Sequence, residues 1–334
     1  MPKIKVLDSK TKTRKLTPEE QIAGENVMKQ CMAVKPDEKV LIVTDTLKEK
    51  IEASIFFESA KKFTNKVQMV IISPTGQHGA EAPKKVVNLM CDANVVLIPT
   101  TYSLSHTMGR KKASDKGARI ASMPGITKDI ILRTLTIDYS KVALLSKKVA
   151  GLLTMAQKAE LTSPSGTKMV FSLKGRDAIP DTGLLTNSGD FGNLPAGEAF
   201  IAPKEGSSQG ILVFEACYGD EKLKEPVAFE VKNGIVTKAL CKTKQSKIIE
   251  QALNKIGPKA RNIAELGIGT NKMAKPDKGI LEVEKIYGTC HVALGNNVHF
   301  GGEVDVPYHV DGLIINPTLK LDNKTILKNG KFMI

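Results

Sequence analysis

The first 137 residues are constrained most strongly by a regular alternation of short apolar runs with longer amphipathic stretches. The apolar runs cover residues 40–43, 67–72, 95–98 and 118–123, and the amphipathic stretches between them include residues 47–63 and 80–90. Near-continuous apolar strands that alternate with helices are typical of a parallel sheet covered on both faces. The pattern predicts the α/β class, with a doubly wound parallel-sheet N-terminal domain over residues 1–137.

One helix start is marked by residues 17–20. Thr17 suits the N-cap, Pro18 suits the first helical position, and the Glu20 side chain can reach back to the cap. We therefore expect a helix from residue 17 to about residue 32.

Residues 138–334 carry mostly strand patterns. A helix with one apolar face opens this part and connects the two domains, and another is expected over residues 246–256. Asn233-Gly234 between the alternating runs 227–231 and 235–239 predicts a hairpin. The sequence thus predicts a β-rich α+β C-terminal domain over residues 138–334.

The N-terminal domain lacks the common phosphate-binding motifs. No G-x-G-x-x-G follows its first strand, and it has no Walker-type glycine-rich loop. His106 follows the carboxyl end of an expected strand, where open α/β sheets often bind ligands. An exposed loop histidine is the alternative interpretation of His106.

Net charge, apolar runs and cysteine distribution indicate which binding partners and which cell compartment to expect. An excess of 14 positive charges is spread in twos and threes along the chain, and only 4% of residues are aromatic, so we expect no nucleic-acid partner. No apolar run approaches the roughly 18 residues of a membrane span. The five cysteines are scattered without a C-x-x-C pair, which favours a cytoplasmic protein without a membrane partner.

Three of the five histidines, His291, His299 and His309, fall within 19 residues. In a strand, His309 and Asp311 would point to the same face and could bind one metal ion. Cys290 would point away from His291 and into the core. A surface His-Asp pair and a hydrogen-bonded core histidine are the alternatives.

Glu198 and Glu265 lie in apolar surroundings. A buried carboxylate without a partner is strongly disfavoured, and a divalent cation would stabilise it. For either glutamate alone, a salt-bridged or surface position is the alternative.

Together these residues offer three carboxylates and two imidazoles without a thiolate: Glu198, Glu265, His291, His309 and Asp311. This ligand set suits Zn, Co, Mn or Fe, and it could hold two ions that share a carboxylate. Two adjacent ions can activate a water molecule and polarise a carbonyl group, so the set favours a hydrolytic centre.

Four motifs in this region, NLPAGEAFIAP, NIAELGIGTN, CHVALGNN and HVDGLI, resemble in order and separation the metal-site motifs of the aminopeptidase T and aminopeptidase S group. The segment SLSHTMGRKKASDKGARIASMPG is similar to the first domain of that group. The resemblance implies a homodimeric metalloaminopeptidase that acts on short peptides with two divalent ions. It assigns the ligand role to the five residues above. In such a hydrolase, a carboxylate near the metal centre, Glu198 or Glu265, would transfer the proton.

The resemblance has one departure. A tyrosine expected about seven residues after the first metal-site histidine is replaced by Val298, which cannot donate a hydrogen bond. Either Tyr308 or His299 takes its catalytic part, or the chemistry differs from peptide hydrolysis.

Two other functions remain open. One is a mononuclear Fe(II) dioxygenase that cleaves dihydroxypyridine-type rings, since ring-cleaving members of the same superfamily are similar, and His with His-x-Asp suits non-haem iron. The other is a metal-free binding protein that uses the basic surface.

Overall fold

Contacts between residues divide the chain into two units. The first unit consists of Met1–Lys141 and Gly183–Ala196, and the second of Val142–Thr182 and Gly197–Ile334. The structure is a computed structural model that describes residues 4–219, 221–276 and 280–334. The domain boundary between residues 137 and 138 stays a prediction.

The first unit is built on a mostly parallel sheet. Its strands are β1 (Lys5–Asp8), β2 (Val40–Asp45), β3 (Val67–Ile72), β4 (Val95–Ile98), β5 (Arg119–Ser122) and β9 (Phe191–Asn193). They lie in the order β1-β3-β2-β4-β5-β9, and every neighbouring pair is parallel except the edge pair of β1 with β3. Strands β2, β4 and β5 are buried along their whole length. This confirms the parallel sheet expected from the apolar runs.

Helices connect these strands. They are α1 (Pro18–Asn26), α2 (Ser54–Ala60), α3 (Lys84–Asp92), α4 (Met108–Asp115) and α5 (Lys128–Thr134), with π-helical turns at Val27–Cys31 and Glu49–Ala53. Helix α6 (Tyr139–Met155) follows, and most of it belongs to the second unit. The strand order reverses at β2, so right-handed crossovers place α2 on one face of the sheet and α3 and α4 on the other. The fold class is therefore the doubly wound α/β arrangement that the sequence predicts.

The predicted helix start is confirmed. The Thr17 hydroxyl accepts a hydrogen bond from the Glu20 amide, and the Glu20 carboxylate accepts one from the Thr17 amide. This reciprocal capping satisfies amide groups that the first helical turn would otherwise leave without partners.

The second unit contains two antiparallel sheets. One, the hairpin sheet, has the order β15-β14-β11-β7-β6-β19-β20-β21. Its strands are β6 (Lys158–Thr162), β7 (Lys168–Ser172), β11 (Gln209–Phe214), β14 (Val227–Lys232), β15 (Ile235–Ala239), β19 (Thr318–Leu321), β20 (Lys324–Lys328) and β21 (Lys331–Phe332). The predicted hairpin is confirmed, because Asn233 and Gly234 connect β14 to β15 with φ angles of 48° and 74°.

The other sheet, the site sheet, has the order β13-β12-β18-β17-β16-β10-β8. Its strands are β8 (Ile179–Asp181), β10 (Glu198–Ile201), β12 (Cys217–Tyr218), β13 (Glu221–Lys222), β16 (Ile263–Gly269), β17 (Cys290–Gly295) and β18 (His309–Ile314). Leu266 and Val292 of this sheet share one core with Leu212 and Phe229 of the hairpin sheet. One face of the site sheet therefore packs into the core.

Helices α7 (Lys244–Ile256) and α8 (Ile280–Val283) also belong to the second unit, with short 3-10 turns at Pro258–Arg261 and Val298–Phe300. Helix α7 contains the predicted stretch 246–256 and is capped by Thr243. Within the described parts of the chain, no helix combines the length and the apolar character that a bilayer crossing requires.

Candidate metal centre

The five side chains with ligand chemistry project from one face of four neighbouring strands. Glu198 begins β10, Glu265 lies in β16, His291 lies in β17, and His309 and Asp311 lie in β18. The strand register pairs Gly267 with His291 and Ala293 with Asp311. Alternate residues of a strand share a face, so the register brings all five side chains to the face opposite the core.

The core face follows the same alternation. Cys290, Val292 and Leu294 belong to the core cluster, and Val310 packs against it. Cys290 is fully buried there, which agrees with its expected position away from the imidazole of His291.

Glycine makes room for the imidazole of His291. A Cβ atom added at Gly267 would lie only 1.9 Å from His291 Nε2. The ring therefore lies across the glycine backbone, a position that any larger residue at 267 would block.

Glu265 lies at the centre of the cluster. Its Oε1 is 3.2 Å from His291 Nε2, and its Oε2 is 3.5 Å from His309 Nε2. Asp311 Oδ2 is 3.6 Å from His309 Nε2, and Glu198 Oε2 is 3.2 Å from His291 Nε2. These donors form two groups with the geometry for a metal ion, Glu198-Glu265-His291 and Glu265-His309-Asp311.

The orientation of His309 is fixed by the backbone. His309 Nδ1 lies 2.7 Å from the Asn296 carbonyl oxygen. A carbonyl oxygen can only accept, so the neutral ring carries its proton on Nδ1 and leaves the Nε2 lone pair facing the carboxylates. Such a partner is typical of a metal-binding histidine.

The electrostatics of the cluster favour a bound cation. Burial raises the pKa of Glu198 to about 8, although the ammonium group of Lys285 acts in the opposite direction, and burial raises the pKa of Asp311 to about 6. Burial lowers the pKa of His291, but the hydrogen bond to Glu265 and the nearby carboxylates outweigh it and raise that pKa to about 9. The buried negative charge thus draws protons onto the cluster, and a divalent ion would offset the same charge.

Buried polar atoms without hydrogen-bond partners also indicate that the cluster is suited to a bound cation. Among the described residues, Glu198 Oε2 and Asp311 Oδ1 find no hydrogen-bond partner, and neither does His291 Nδ1. Unsatisfied buried carboxylate oxygens are strongly disfavoured unless a cation or a donor reaches them. Oxygen and imidazole donors without thiolate suit a divalent ion such as Fe(II), Zn or Mn.

A buried lysine adjoins the cluster. Lys285 is only 1% exposed, and its Nζ lies 2.5 Å from Glu198 Oε1, 2.8 Å from Glu284 Oε1 and 3.6 Å from Asp181 Oδ2. Sequence reasoning missed Lys285, because a lysine is rarely fully buried and its partners Asp181 and Glu198 are distant in sequence.

Aromatic rings border the cluster on one side. The Phe300 ring packs edge-to-face against the His309 imidazole with 5.8 Å between centroids. It packs in the same way against Phe200, 5.4 Å away. Phe200 follows Glu198 by two residues and so shares its face of the strand.

The remaining sequence candidates belong to neither of the two donor groups. The Tyr308 hydroxyl is 2.6 Å from the Tyr218 hydroxyl, and the Tyr308 side chain packs against the core. His299 is exposed in the turn Val298–Phe300, and His106 is exposed in the loop between β4 and α4. The catalytic roles suggested for Tyr308 and His299 stay predictions.

Comparisons with known proteins identify relatives over most of the chain. A family model described as NicX, 2,5-dihydroxypyridine 5,6-dioxygenase, matches residues 22–334. A 2,5-dihydroxypyridine 5,6-dioxygenase from Pseudomonas putida (strain KT2440) is 22% identical over 249 residues, which are 70% of each chain.

Two solved structures share the fold. The 2,5-dihydroxypyridine dioxygenase of Pseudomonas putida KT2440 has a TM-score of 0.79 at 19% identity, covering 95% of this chain and 98% of that one. AmpT from Thermus thermophilus has a TM-score of 0.69 at 13% identity, covering 95% and 99%. The likeness to AmpT confirms an aminopeptidase-like fold.

The expected function needs a correction. The interpretation as a metalloaminopeptidase, and with it the terms hydrolase and protease, is wrong, because the family model and the curated relative both name a dioxygenase. Carboxylates and imidazoles serve hydrolytic and oxidative metal centres alike, so motifs shared on one fold do not determine the reaction. The chain is an enzyme that belongs to the 2,5-dihydroxypyridine 5,6-dioxygenase (NicX) family.

Proposed function

We propose that this chain is a mononuclear non-haem Fe(II) dioxygenase that opens the ring of a dihydroxypyridine-type substrate. Membership in the NicX family and the activity for which the Pseudomonas putida relative is named support the reaction type. The arrangement of donors on the site sheet supports the metal. The observation that carries most weight is Glu265, whose two oxygens lie within 3.5 Å of the Nε2 atoms of both His291 and His309.

His291, His309 and Asp311 would hold the iron. Both Nε2 atoms contact the Glu265 carboxylate, His291 through Oε1 and His309 through Oε2, and Asp311 Oδ2 is 3.6 Å from His309 Nε2. Glu265 is therefore the residue shared by the donor group that contains His291 and the donor group that contains His309 and Asp311. Two histidines and one carboxylate form the usual donor set of non-haem Fe(II) oxygenases. An Fe(II) ion bound by these residues would supply the redox chemistry that the addition of dioxygen to an aromatic ring requires.

Neighbouring groups orient these donors. The Asn296 carbonyl oxygen accepts the Nδ1 proton of His309 and so directs Nε2 toward the metal position. Gly267 leaves the space in which the His291 ring lies. A donor set held in one geometry before the substrate arrives favours fast chemistry.

Glu265 is the proposed proton acceptor. A ring hydroxyl that binds close to the two imidazoles must lose its proton to a nearby base, and Glu265 is the carboxylate that contacts both rings. Glu198 is less suited to this task, because its Oε1 already accepts a hydrogen bond from Lys285.

Phe200 and Phe300 would contact the planar ring of the substrate. Phe300 lies edge-to-face with His309 and with Phe200, so the two phenyl rings form an apolar surface next to the donor set. Aromatic surfaces favour planar aromatic ligands through stacked or edge-to-face contacts. They also exclude water from that side of the site.

Oxygen consumption tests the proposal. The protein is stripped with a chelator, loaded anaerobically with Fe(II), and mixed with 2,5-dihydroxypyridine in an oxygen-electrode cell. We expect one dioxygen consumed for each substrate lost. Protein loaded with Zn(II) is the matched control and should consume none, because zinc has no redox chemistry. If the Fe(II) protein consumes no oxygen with any dihydroxypyridine isomer, the proposed function is wrong.

A further inference from the structure

We propose that Lys285 is a built-in cation that occupies the Glu198 end of the cluster and thereby limits each chain to one bound metal ion. The inference rests on the proposed metal site at His291, His309 and Asp311, and it adds a positioning and selectivity role for a residue outside that donor set.

The donor side chains alone would not limit the site to one ion. Glu198, Glu265 and His291 form one group with metal-binding geometry, and Glu265, His309 and Asp311 form another. The two groups share Glu265, and a shared carboxylate can bridge two ions. Something else must distinguish the two ends of the cluster.

Lys285 distinguishes them by its charge. Its Nζ lies 2.5 Å from Glu198 Oε1 and 2.8 Å from Glu284 Oε1. Glu198 is therefore already paired with a cation, whereas no ion pair to a lysine or arginine is observed for Asp311 among the described residues. A divalent ion on Glu198 would lie beside the ammonium group, with little water to screen their repulsion.

The neighbouring strand explains why a cation is needed here. Asp181 of β8 lies directly opposite Glu198 of β10 in the strand register. Like charges at opposed positions destabilise a sheet. Lys285 Nζ lies 3.6 Å from Asp181 Oδ2, so one ammonium group offsets both carboxylates.

The backbone brings Lys285 to this place. Glu198 is paired on its other side with Gly269 of β16, and a Cβ atom added at Gly269 would lie 2.0 Å from the Ile286 carbonyl oxygen and 2.7 Å from the Lys285 carbonyl carbon. The Asn271 amide donates to the Lys285 carbonyl oxygen at 2.9 Å. The missing side chain at Gly269 thus allows the lysine to approach the sheet beside Glu198.

Metal stoichiometry tests this role without measuring activity. Wild type, Lys285→Met and Lys285→Arg are stripped with a chelator, dialysed against excess Zn(II), and analysed for bound zinc per chain. We expect one ion in wild type and in Lys285→Arg, which keeps the positive charge. We expect a second ion in Lys285→Met, because Asp181, Glu198 and Glu284 then lack their cation.

A second variant covers the case in which Lys285→Met does not fold without metal. Lys285→Met combined with Glu198→Gln removes one carboxylate together with the lysine, and we expect it to fold and bind one ion. The inference is overturned if Lys285→Met folds and still binds one ion, or if the double variant binds two. If the inference is overturned in one of these ways but wild type binds one ion, the proposed function still stands. If wild type binds no metal, both the proposed function and the inference about Lys285 are wrong.

Discussion

Gly267 and His291 occupy directly opposed positions on β16 and β17, and the imidazole lies where the side chain of residue 267 would otherwise be. The pair links a feature visible in the sequence, a glycine two residues after Glu265, to the orientation of a proposed metal ligand. It also makes the local requirement for glycine testable.

We expect Gly267→Ala to displace the His291 ring, because the added Cβ would lie 1.9 Å from Nε2. Loss of a ligand's orientation typically lowers metal affinity by about 10- to 100-fold, and overpacking lowers stability by about 1–3 kcal/mol. Zinc affinity and thermal unfolding measure the two effects. Gly151→Ala is the control, since Gly151 is exposed in α6 with nothing near its Cβ position. Wild-type zinc affinity in Gly267→Ala would contradict the proposed role of His291.

Asp311→Asn tests the carboxylate ligand. The substitution keeps the size of the side chain but removes the charge that we assign to metal binding, so we expect affinity for Fe(II) to fall by at least about 10-fold. Competition with a chromophoric chelator measures the affinity. Asp37→Asn, at an exposed position of the first unit, should bind metal like wild type. Equal affinities in the two variants would exclude Asp311 as a ligand.

Phe300→Ala tests the aromatic surface. We expect KM for the dihydroxypyridine to rise by about 3- to 10-fold, because an aromatic pair contributes about 0.5–1.5 kcal/mol. Phe300→Tyr keeps the ring and should keep KM near the wild-type value. Steady-state oxygen uptake measures both variants, and an unchanged KM in Phe300→Ala would show that Phe300 does not contact the substrate.

Tyr308→Phe distinguishes two roles of its hydroxyl. That group lies 2.6 Å from the Tyr218 hydroxyl, so its removal should lower the free energy of unfolding by about 1 kcal/mol. A purely structural role leaves kcat close to the wild-type value. A large fall in kcat with unchanged stability would support the catalytic role that the sequence suggests for Tyr308.

The ionisation of Glu20 should make the free energy of unfolding depend on pH. Burial raises its pKa, but hydrogen bonds from Arg14, Lys128 and the Thr17 amide outweigh burial and lower the pKa from 4.5 to about 2. A carboxyl group with a lowered folded-state pKa contributes stability above pH 4.5, and this contribution is lost as the pH falls toward 2.

We therefore expect wild type to be about 2–3 kcal/mol more stable than Glu20→Gln at pH 7, after allowing for solvent screening of the partly exposed Arg14 and Lys128. The difference should shrink between pH 4.5 and pH 2. Urea unfolding across this range measures it, with Glu225→Gln at an exposed position as the control. A difference that does not change with pH would contradict the pairing of Glu20.

The parallel sheet of the first unit was predictable because β2, β3, β4 and β5 carry apolar runs of their own. Strand β9 was not predictable, because Phe191-Gly192-Asn193 has no strand pattern. It is stabilised by pairing with β5, which lies about 70 residues earlier in the chain. Edge strand β1 is largely exposed and lacks an apolar run. Local patterns cannot indicate strands that only distant partners stabilise.

The residues of the candidate site could be selected from the sequence because carboxylates and imidazoles stand out in apolar strands, and their role as metal donors stays a prediction. Lys285 could not be selected, because its burial depends on Glu198 and Asp181, which meet it only in the folded sheet. The reaction was predicted wrongly from the same motifs, since Glu265, His291 and Asp311 suit both hydrolytic and oxidative chemistry.

In the proposed reaction, both atoms of dioxygen are inserted into a dihydroxypyridine ring. Turnover of the Fe(II)-loaded protein under dioxygen labelled with oxygen-18, followed by mass spectrometry of the product, tests it most directly. We predict a ring-opened product with two labelled oxygen atoms, apart from any loss by exchange with water, which a control in labelled water measures. A product whose new oxygen atoms all come from water would contradict the account.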